Sequence, residues 1–238
     1  MLLEIVCPTM SAVHNAVKGG AQRIELCADL SCGGITPSAG LVQQTLETTD
    51  IPIVILLRIR EGDFVFSESE KAAMIKDVKH LKALGVHGIV SGGLLPNKDI
   101  DFPFVHDLVE ACGDTPFIFH RAFDVCNNPL ESAARLKDAG THRILTAGQA
   151  PSAKEGLGML KTLVAQSDRP QILAGGGIRL SEIDPLLEIG VDEIHSAAMI
   201  KVAGEDSKGF FDPGYSSVDP QIVAQMRAKI DQSVTGRE

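Results

Sequence analysis

The feature that most constrains the fold of this chain is an alternation, repeated eight times, of short apolar runs and longer stretches of helical periodicity. The apolar runs are rich in β-branched residues, which favour strands, and the longer stretches have the spacing of helices that pack against a sheet. The predicted strands cover residues 2–7, 23–28, 52–59, 88–94, 116–122, 142–147, 170–174 and 193–198. The predicted helices cover residues 11–18, 38–48, 67–84, 102–112, 129–139, 152–166, 180–189 and 220–234.

Two local signals support the helix boundaries. Ser67 and Glu70 have the spacing of a capping box, in which each side chain bonds the backbone of the other residue. Pro129 stands at a first helical position and Gly140 follows the end of the same helix, which is the usual asymmetry of helix termini.

Eight strand–helix pairs in 238 residues predict a single-domain (β/α)₈ TIM barrel over residues 1–238, because this fold typically takes about 250 residues. The alternative is an open doubly wound sheet, which has the same local pattern. The count of eight, and the lack of a Gly-x-Gly-x-x-Gly fingerprint after the first strand, favour the closed barrel. The stretch Val202–Ser217 has several glycines and few large apolar residues, which predicts a long, mobile loop.

Composition excludes several classes of function. The net charge of −9, the lack of a Lys/Arg cluster, a single tyrosine and no tryptophan argue against a nucleic-acid partner. The N-terminus lacks the basic region of a signal peptide, and no apolar run approaches the ~20 residues that span a bilayer. Five cysteines without a Cys-x-x-Cys motif do not suggest a disulfide framework. We therefore expect a cytoplasmic protein with reduced thiols and no membrane partner.

Charged side chains interrupt strands that should be apolar on both faces. Strands of a parallel barrel are covered by helices, and an unpaired buried ion is costly. The C-terminal ends of barrel strands carry the functional residues of this fold. The interrupting residues come from strands one, two, three, five and eight and are Glu4, Glu25, Arg58, Arg60, His120, Arg121, Asp124 and His195.

Together these side chains could bind a small anion and move protons, because they combine carboxylates, guanidinium groups and imidazoles. The alternative is that Glu4, Glu25 and Arg58 form a satisfied ionic network inside the barrel. The candidate catalytic residues are Glu25, His120, Asp124 and His195. The candidate ligand-binding cations are Arg58, Arg60 and Arg121.

Three glycines, Gly175, Gly176 and Gly177, directly follow the seventh strand. Glycines let backbone N–H groups turn toward a ligand, and the N-terminus of a following helix favours an anion. The loops after strands seven and eight are the usual phosphate site of this fold. We therefore predict that the glycines, with Ser196, bind a phosphate or carboxylate; the alternative is a tight turn that requires positive φ.

Two cysteines, Cys7 and Cys27, end the first two strands, which are neighbours in a barrel. Two thiolates at such a place could hold Cu(I), with Cys32 as a third ligand. The alternative is that they are small buried hydrophobic residues. Strand alternation adds a difficulty, because Cys27 shares a face with Glu25 whereas Cys7 and Glu4 lie on opposite faces.

Six motifs in these regions resemble the CutC copper homeostasis family, in the order in which that family has them. They are Arg-Ile-Glu-Leu-Cys-Ala at 23–28, Gly-Gly-Ile-Thr-Pro-Ser at 33–38, Arg-Ile-Arg-Glu-Gly-Asp-Phe at 58–64, Phe-His-Arg-Ala-Phe-Asp at 119–124, Arg-Ile-Leu-Thr-Ala-Gly at 143–148 and Glu-Ile-His-Ser at 193–196. The resemblance covers essentially the whole chain, and the phenylalanine-histidine-arginine segment is its most specific part.

The resemblance implies a TIM barrel, a cytoplasmic location, a homodimer, and a role in copper homeostasis with Cu(I) bound by cysteines. The sequence departs from the family pattern at three positions. Ile59 and Glu61 stand where the family has proline and glycine, and Ala197 stands where it has a second serine.

Two functional hypotheses follow. In the first, the protein handles copper and binds Cu(I) through Cys7 and Cys27. In the second, it is an enzyme that acts on a small anionic or phosphorylated metabolite and needs no organic cofactor. The anion is then held by Arg58 and the glycine loop, His120 is the general acid or base, and Glu25 or Asp124 orients it.

Overall fold

The computed structural model describes residues 1–202 and 215–235, and in it eight parallel strands close into a barrel. Each strand pairs with the next, and the eighth pairs with the first from Leu2 opposite Glu193 to Ile5 opposite Ser196. The strands are β1 (Leu2–Cys7), β2 (Arg23–Leu26), β3 (Ile53–Leu56), β4 (Gly88–Ser91), β5 (Phe117–Phe119), β6 (Arg143–Thr146), β7 (Gln171–Ala174) and β8 (Glu193–Ser196). The predicted TIM barrel is confirmed.

Helices alternate with the strands. They are α1 (Met10–Lys18), α2 (Ala39–Thr48), α3 (Glu68–Ala83), α4 (Phe102–Cys112), α5 (Pro129–Asp138), α6 (Leu157–Ala165), α7 (Ile183–Ile189) and α8 (Pro220–Thr235). The predicted capping box of Ser67 and Glu70 at the start of α3 is confirmed. None of the helices in the described ranges is long and apolar enough to cross a membrane.

Several predicted elements are longer than the observed ones. Strands β2, β3, β4, β5 and β8 end two or three residues early, because the backbone leaves the ladder there to form the mouth of the barrel. The helix predicted over 152–166 begins only at Leu157, after a series of turns. The helix predicted over 180–189 begins with a short 3₁₀ segment, Leu180–Glu182, ahead of α7.

A two-stranded antiparallel sheet follows the barrel. It consists of β9 (Met199–Val202) and β10 (Tyr215–Val218), and Asn15 on α1 donates a hydrogen bond to the carbonyl of Val218 at 2.9 Å. The prediction of a loop over residues 202–217 was therefore wrong at both ends, while residues 203–214 lie outside the described residues. These strands have four residues each, so their alternation was too brief to give a period-2 signal.

The interior of the barrel has an apolar side and a charged side. Strands β3 to β7 contribute the apolar side chains Val54, Leu56, Val90, Ile118, Leu145 and Leu173. The neighbouring strands β8, β1 and β2 contribute charged or titratable side chains instead. Glu193, Glu4, Arg23 and Glu25 are buried, and His195 is half-buried. Most of these charged residues therefore lie on three adjacent strands, and Arg143 on β6 joins them.

Arg23 links the carboxylates of this charged side. Its Nε donates to Glu4 and its Nη2 donates to Glu193, while Nε of Arg143 lies 2.9 Å from the Glu193 carboxylate. Burial alone would raise the pKa of Glu4, but the Arg23 guanidinium and His195 hold it at about 2. Glu4 is therefore ionised inside the barrel and depends on these partners for that charge.

We predict that Arg23→Met lowers the free energy of unfolding by roughly 3–5 kcal/mol, because it leaves two buried carboxylates without their shared cation. The matched control is Lys229→Met, which removes the 2.7 Å ion pair with the exposed Asp184 and should cost less than about 1 kcal/mol. Urea denaturation followed by circular dichroism measures both. Equal losses for the two variants would contradict this role of Arg23.

Candidate functional site

A cavity of about 1530 Å³ opens at the C-terminal ends of the barrel strands. This is the end of the barrel at which binding and catalytic groups of this fold are placed. Nine of the residues predicted from the sequence line it, namely Glu25, Arg58, His120, Arg121, Asp124, Gly176, Gly177, His195 and Ser196.

His195 lies between two carboxylates. Its Nδ1 is 2.7 Å from Oε1 of Glu4, and its Nε2 is 3.8 Å from Oε2 of Glu25. Because Glu4 is ionised, Nδ1 carries the hydrogen of this bond, and Nε2 is left to gain or lose a proton. Burial opposes a charge on His195, but attraction to Glu25 and the bond to Glu4 outweigh it, and the pKa of His195 is raised.

Glu25 is the second member of this pair. Burial raises its pKa to about 7, and the attraction of His195 acts in the opposite direction. Its side chain lines the cavity, and Oε1 is buried without a hydrogen-bond partner among the described residues. A carboxylate with a pKa near neutrality can take up and release a proton at the pH of a cell.

Glu4, Glu25 and His195 also bring three ligand atoms within 4.8 Å of one another, as a metal site requires. Glu4 is already bonded to Arg23 and His195, however, which leaves one carboxylate and one imidazole nitrogen. Catalytic zinc sites usually have three protein ligands. The cluster therefore fits proton transfer better than metal binding.

Arg58 and His120 contact the same aromatic ring. The guanidinium carbon of Arg58 is 5.1 Å from the centre of the Phe64 ring, and the His120 ring packs against it at 4.7 Å. Phe64 was not among the site residues predicted from the sequence, although it closes the 58–64 motif that contains Arg58. Nε of Arg58 and Nε2 of His120 are both buried without a hydrogen-bond partner in the described part of the chain.

Asp124, a predicted catalytic residue, lines the cavity but is held by several hydrogen bonds. Its carboxylate accepts hydrogen bonds from Thr146 and from the backbone N–H groups of Ala147 and Gln149, and it also accepts one from Nε of Arg121 at 2.7 Å. These bonds occupy both oxygens. Asp124 therefore joins the loops after β5 and β6 and orients Arg121, and it has no free oxygen to act as a base.

The loop after β7 places backbone donors beside Arg121. Gly176 and Gly177 have φ of +102° and +71°, and their N–H groups donate to no acceptor among the described residues. A Cβ at position 176 would lie 3.2 Å from the Arg121 guanidinium carbon, so Arg121 lies directly over this backbone. Among the described residues, only Nε of Arg121 makes a hydrogen bond, to Asp124, and its terminal nitrogens are without a partner there.

Gly175 and Ser196, which were also predicted as ligand-binding residues, fix the position of this loop. A Cβ at Gly175 would approach Leu145 to 2.5 Å, so this glycine permits close packing. The Ser196 hydroxyl donates to the carbonyl of Ile178 at 2.8 Å and so holds the loop against β8. The expected helix N-terminus is not adjacent, because α7 begins only at Ile183. The backbone N–H groups that face this place therefore belong to the loop and not to a helix N-terminus.

Arg60 does not lie in the cavity, and its prediction as a ligand-binding residue is corrected. Its side chain pairs with Glu70 at 2.7 Å and with Asp63 at 3.0 Å. Arg58 and Arg60 both follow β3, where the chain has already left the ladder. Strand alternation therefore no longer keeps the two side chains on one face.

The two cysteines predicted to bind copper face different sides of the barrel wall. Cys7 belongs to the apolar cluster between strands and helices, and Cys27 belongs to the cluster inside the barrel. Burial raises the pKa of both thiols, so both stay protonated. Cys32 lines the cavity, but its Sγ is bonded to the carbonyl of Asp29 at 3.1 Å. These positions do not fit a thiolate pair that binds one Cu(I).

Comparison with known proteins gives one family. The sequence model of the CutC family matches residues 1–200. The family protein CutC of Salmonella enteritidis is 42% identical over 197 residues, which are 83% of this chain and 79% of that protein. The solved "Putative Copper Homeostasis Protein CutC" from Streptococcus agalactiae is 30% identical, with a TM-score of 0.78 over 83% of this chain and 98% of that one.

More distant structures share the barrel alone. Thiamine phosphate pyrophosphorylase from Pyrococcus furiosus is 16% identical, with a TM-score of 0.62 over 98% of this chain and 96% of that one. At this identity the likeness concerns the fold and carries no information about the ligand.

We predict that the stability of the protein falls as the pH rises from about 5 to 8. The pKa of Glu25 is raised from 4.5 to about 7 in the folded state. Its contribution to the free energy of unfolding is therefore complete below pH 4.5 and is lost as the pH rises through 7. The raised pKa of His195 acts with the same sign. The Glu25 contribution amounts to about 3 kcal/mol at most. Urea midpoints measured across this pH range should fall.

The control compares two glutamines. Glu25→Gln removes the titrating carboxyl and should flatten the profile, whereas Glu188→Gln changes an exposed position on α7 and should leave the profile unchanged. A Glu25→Gln profile as steep as that of the parent would show that Glu25 ionises normally.

Proposed function

This chain belongs to the CutC family, and we propose that its barrel is an enzyme that transfers protons on a small anionic metabolite. The observation that carries the proposal is Glu25, a buried carboxylate that lines the cavity and has one oxygen without a partner among residues 1–202 and 215–235. Buried carboxylates are usually fully paired, as Glu193 is in the same barrel. A carboxylate that keeps one free oxygen beside an imidazole suits acid–base chemistry.

In the proposed reaction, Glu25 in its ionised form takes a proton from the bound molecule. His195 lies close enough to exchange a proton with Glu25 or to return one to the ligand through Nε2. Glu4 keeps the imidazole in one orientation through Nδ1. This division of roles, with one group that reacts and one that orients it, is common in acid–base sites. An isomerase-like or aldolase-like reaction has this requirement.

The anion is held by Arg121 and the amides of Gly176 and Gly177. Two terminal guanidinium nitrogens and two N–H groups match the oxygens of a phosphate. Asp124 presents the guanidinium to the loop through Nε and leaves the terminal nitrogens for the ligand.

A role in copper homeostasis is the second candidate function. It is favoured by the name of the Streptococcus agalactiae relative, which is 30% identical to this chain. Copper would then be a cargo. Because Cys7 and Cys27 lie on opposite sides of the barrel wall, we do not assign it to that pair. The cytoplasmic location and the homodimer stay predictions that rest on the family resemblance.

We predict that the protein catalyses exchange of a carbon-bound proton with solvent in at least one small phosphorylated or carboxylated metabolite. Compounds that raise the melting temperature are selected first, and their deuterium uptake in D₂O is then followed by NMR. Glu25→Gln should lower the exchange rate by roughly 10²–10⁴-fold, the usual contribution of a general base. Glu188→Gln, on the surface of α7, should exchange at the parent rate.

Two outcomes would contradict this function. One is that no compound stabilises the protein, since a specific ligand must raise the melting temperature. The other is that Glu25→Gln exchanges as fast as the parent protein.

For copper, we predict that the Cys7→Ser, Cys27→Ser double variant retains the Cu(I) affinity of the parent protein within about twofold, because thiols that face apart cannot bind one ion together. Competition with a chromogenic Cu(I) chelator measures the affinity. Cys112→Ser, which changes a buried thiol on α4, controls for general effects of removing a thiol. A loss of affinity in the double variant alone would restore the cysteine pair as the copper site.

A further inference from the structure

Arg58 is a buried cation without a carboxylate partner in the described part of the chain. It is 5% exposed, and its Nη atoms donate to the carbonyls of Cys32, Gly34 and Gly62 at 3.0, 3.0 and 2.6 Å. Carbonyl dipoles orient the guanidinium but do not neutralise it, and an uncompensated buried charge is unfavourable. The Nε–H makes no hydrogen bond within the described ranges and remains for an anion.

His120 supplies a second donor beside it. Its Nδ1 accepts a hydrogen bond from the N–H of Ala122 at 3.3 Å, so the ring hydrogen is on Nε2. Burial, together with the charge of Arg58, lowers the pKa of His120 to about 3. The imidazole is therefore neutral at ordinary pH, and its Nε2–H is a fixed donor that has no partner in the described residues.

These two donors belong to one place in the cavity. Arg58 and His120 pack on the same ring, that of Phe64, and all three side chains line the cavity that Glu25 also faces. Two of the unpartnered buried groups of the barrel mouth are thus donors and the third is a carboxylate. A ligand that satisfies all three must offer an acceptor to Arg58 and His120.

We propose that Arg58 and His120 form a second anion subsite, so that the substrate is a small acid with a carboxylate at one end and a phosphate at the other. The proposal deepens the proposed function, on which it rests. A carboxylate suits the inner subsite because only two N–H donors are available and three carbonyl oxygens surround the guanidinium, which would repel a dianionic phosphate. The phosphate suits Arg121 and the loop after β7, where more donors are available.

Matched ligand pairs test the second subsite. Phosphoglycolate is compared with ethyl phosphate, and phosphooxypropionate with propyl phosphate, by isothermal titration calorimetry of the parent protein. Within a pair, a carboxylate replaces a methyl group and the phosphate is unchanged. We expect at least one carboxylate to bind at least about tenfold more tightly than its alkyl partner, as a charge-assisted bond to a buried cation would give.

Protein variants test whether Arg58 and His120 produce this gain in affinity for the carboxylate ligands. Arg58→Gln and His120→Asn should each abolish it, and His120→Asn keeps a polar atom near the position of Nδ1 while removing the Nε2–H. Arg60→Gln, which changes the neighbouring arginine outside the cavity, should retain the gain. If Arg58→Gln fails to fold, His120→Asn decides the question.

The results separate the two proposals. Equal binding of carboxylates and alkyl phosphates, with affinity lost in Arg121→Gln, would overturn the second subsite and leave the proposed anion-binding function standing. A carboxylate gain that persists in both Arg58→Gln and His120→Asn would also overturn it. Absence of binding for every probe would count against both.

Discussion

The structure of the mouth depends on one buried carboxylate, that of Glu4, which is shared between Arg23 and His195. Arg23 makes the ionised form of Glu4 possible inside the barrel, and ionised Glu4 in turn fixes the ring of His195. The orientation of His195 then determines which nitrogen faces Glu25. An ion pair that looks structural when considered alone therefore sets the proton affinity of two groups that face the cavity.

The distribution of charge inside the barrel explains how such a site remains compatible with folding. The side chains from β3 to β7 form a largely apolar packing, and the charged ones lie on β8, β1 and β2 together with Arg143 on β6. Adjacent strands bring opposite charges within hydrogen-bond distance, so that few ions are left alone in a medium of low polarity. Glu25, Arg58 and His120 each have a buried polar atom without a partner in the described residues, and all three line the cavity at the open end of the barrel.

The hydrophobic periodicity of the sequence predicted the eight strands and helices because each element is long enough to show its period. The parallel arrangement of the strands then predicted that Glu25, Arg58, His120 and His195 lie at one end of the barrel. The sequence could not separate Asp124 from Glu25, since both are carboxylates at strand ends. Asp124 is satisfied by backbone N–H groups of another loop, and such bonds depend on tertiary structure. Arg60 was misplaced for a similar reason, because its partner Glu70 lies on the following helix.

The chain of ion pairs does not stop at Arg23. Glu193 also binds Arg143 on β6, whose side chain is 19% exposed. Arg143, Glu193, Arg23, Glu4, His195 and Glu25 thus form one continuous series from the wall of the barrel to its opening. Replacing one member changes the charge balance of its neighbours, so we expect these positions to vary together in related proteins. Where evolution replaces the arginine at 143, the acid at 193 should change with it, and such paired replacements would trace the series through the family.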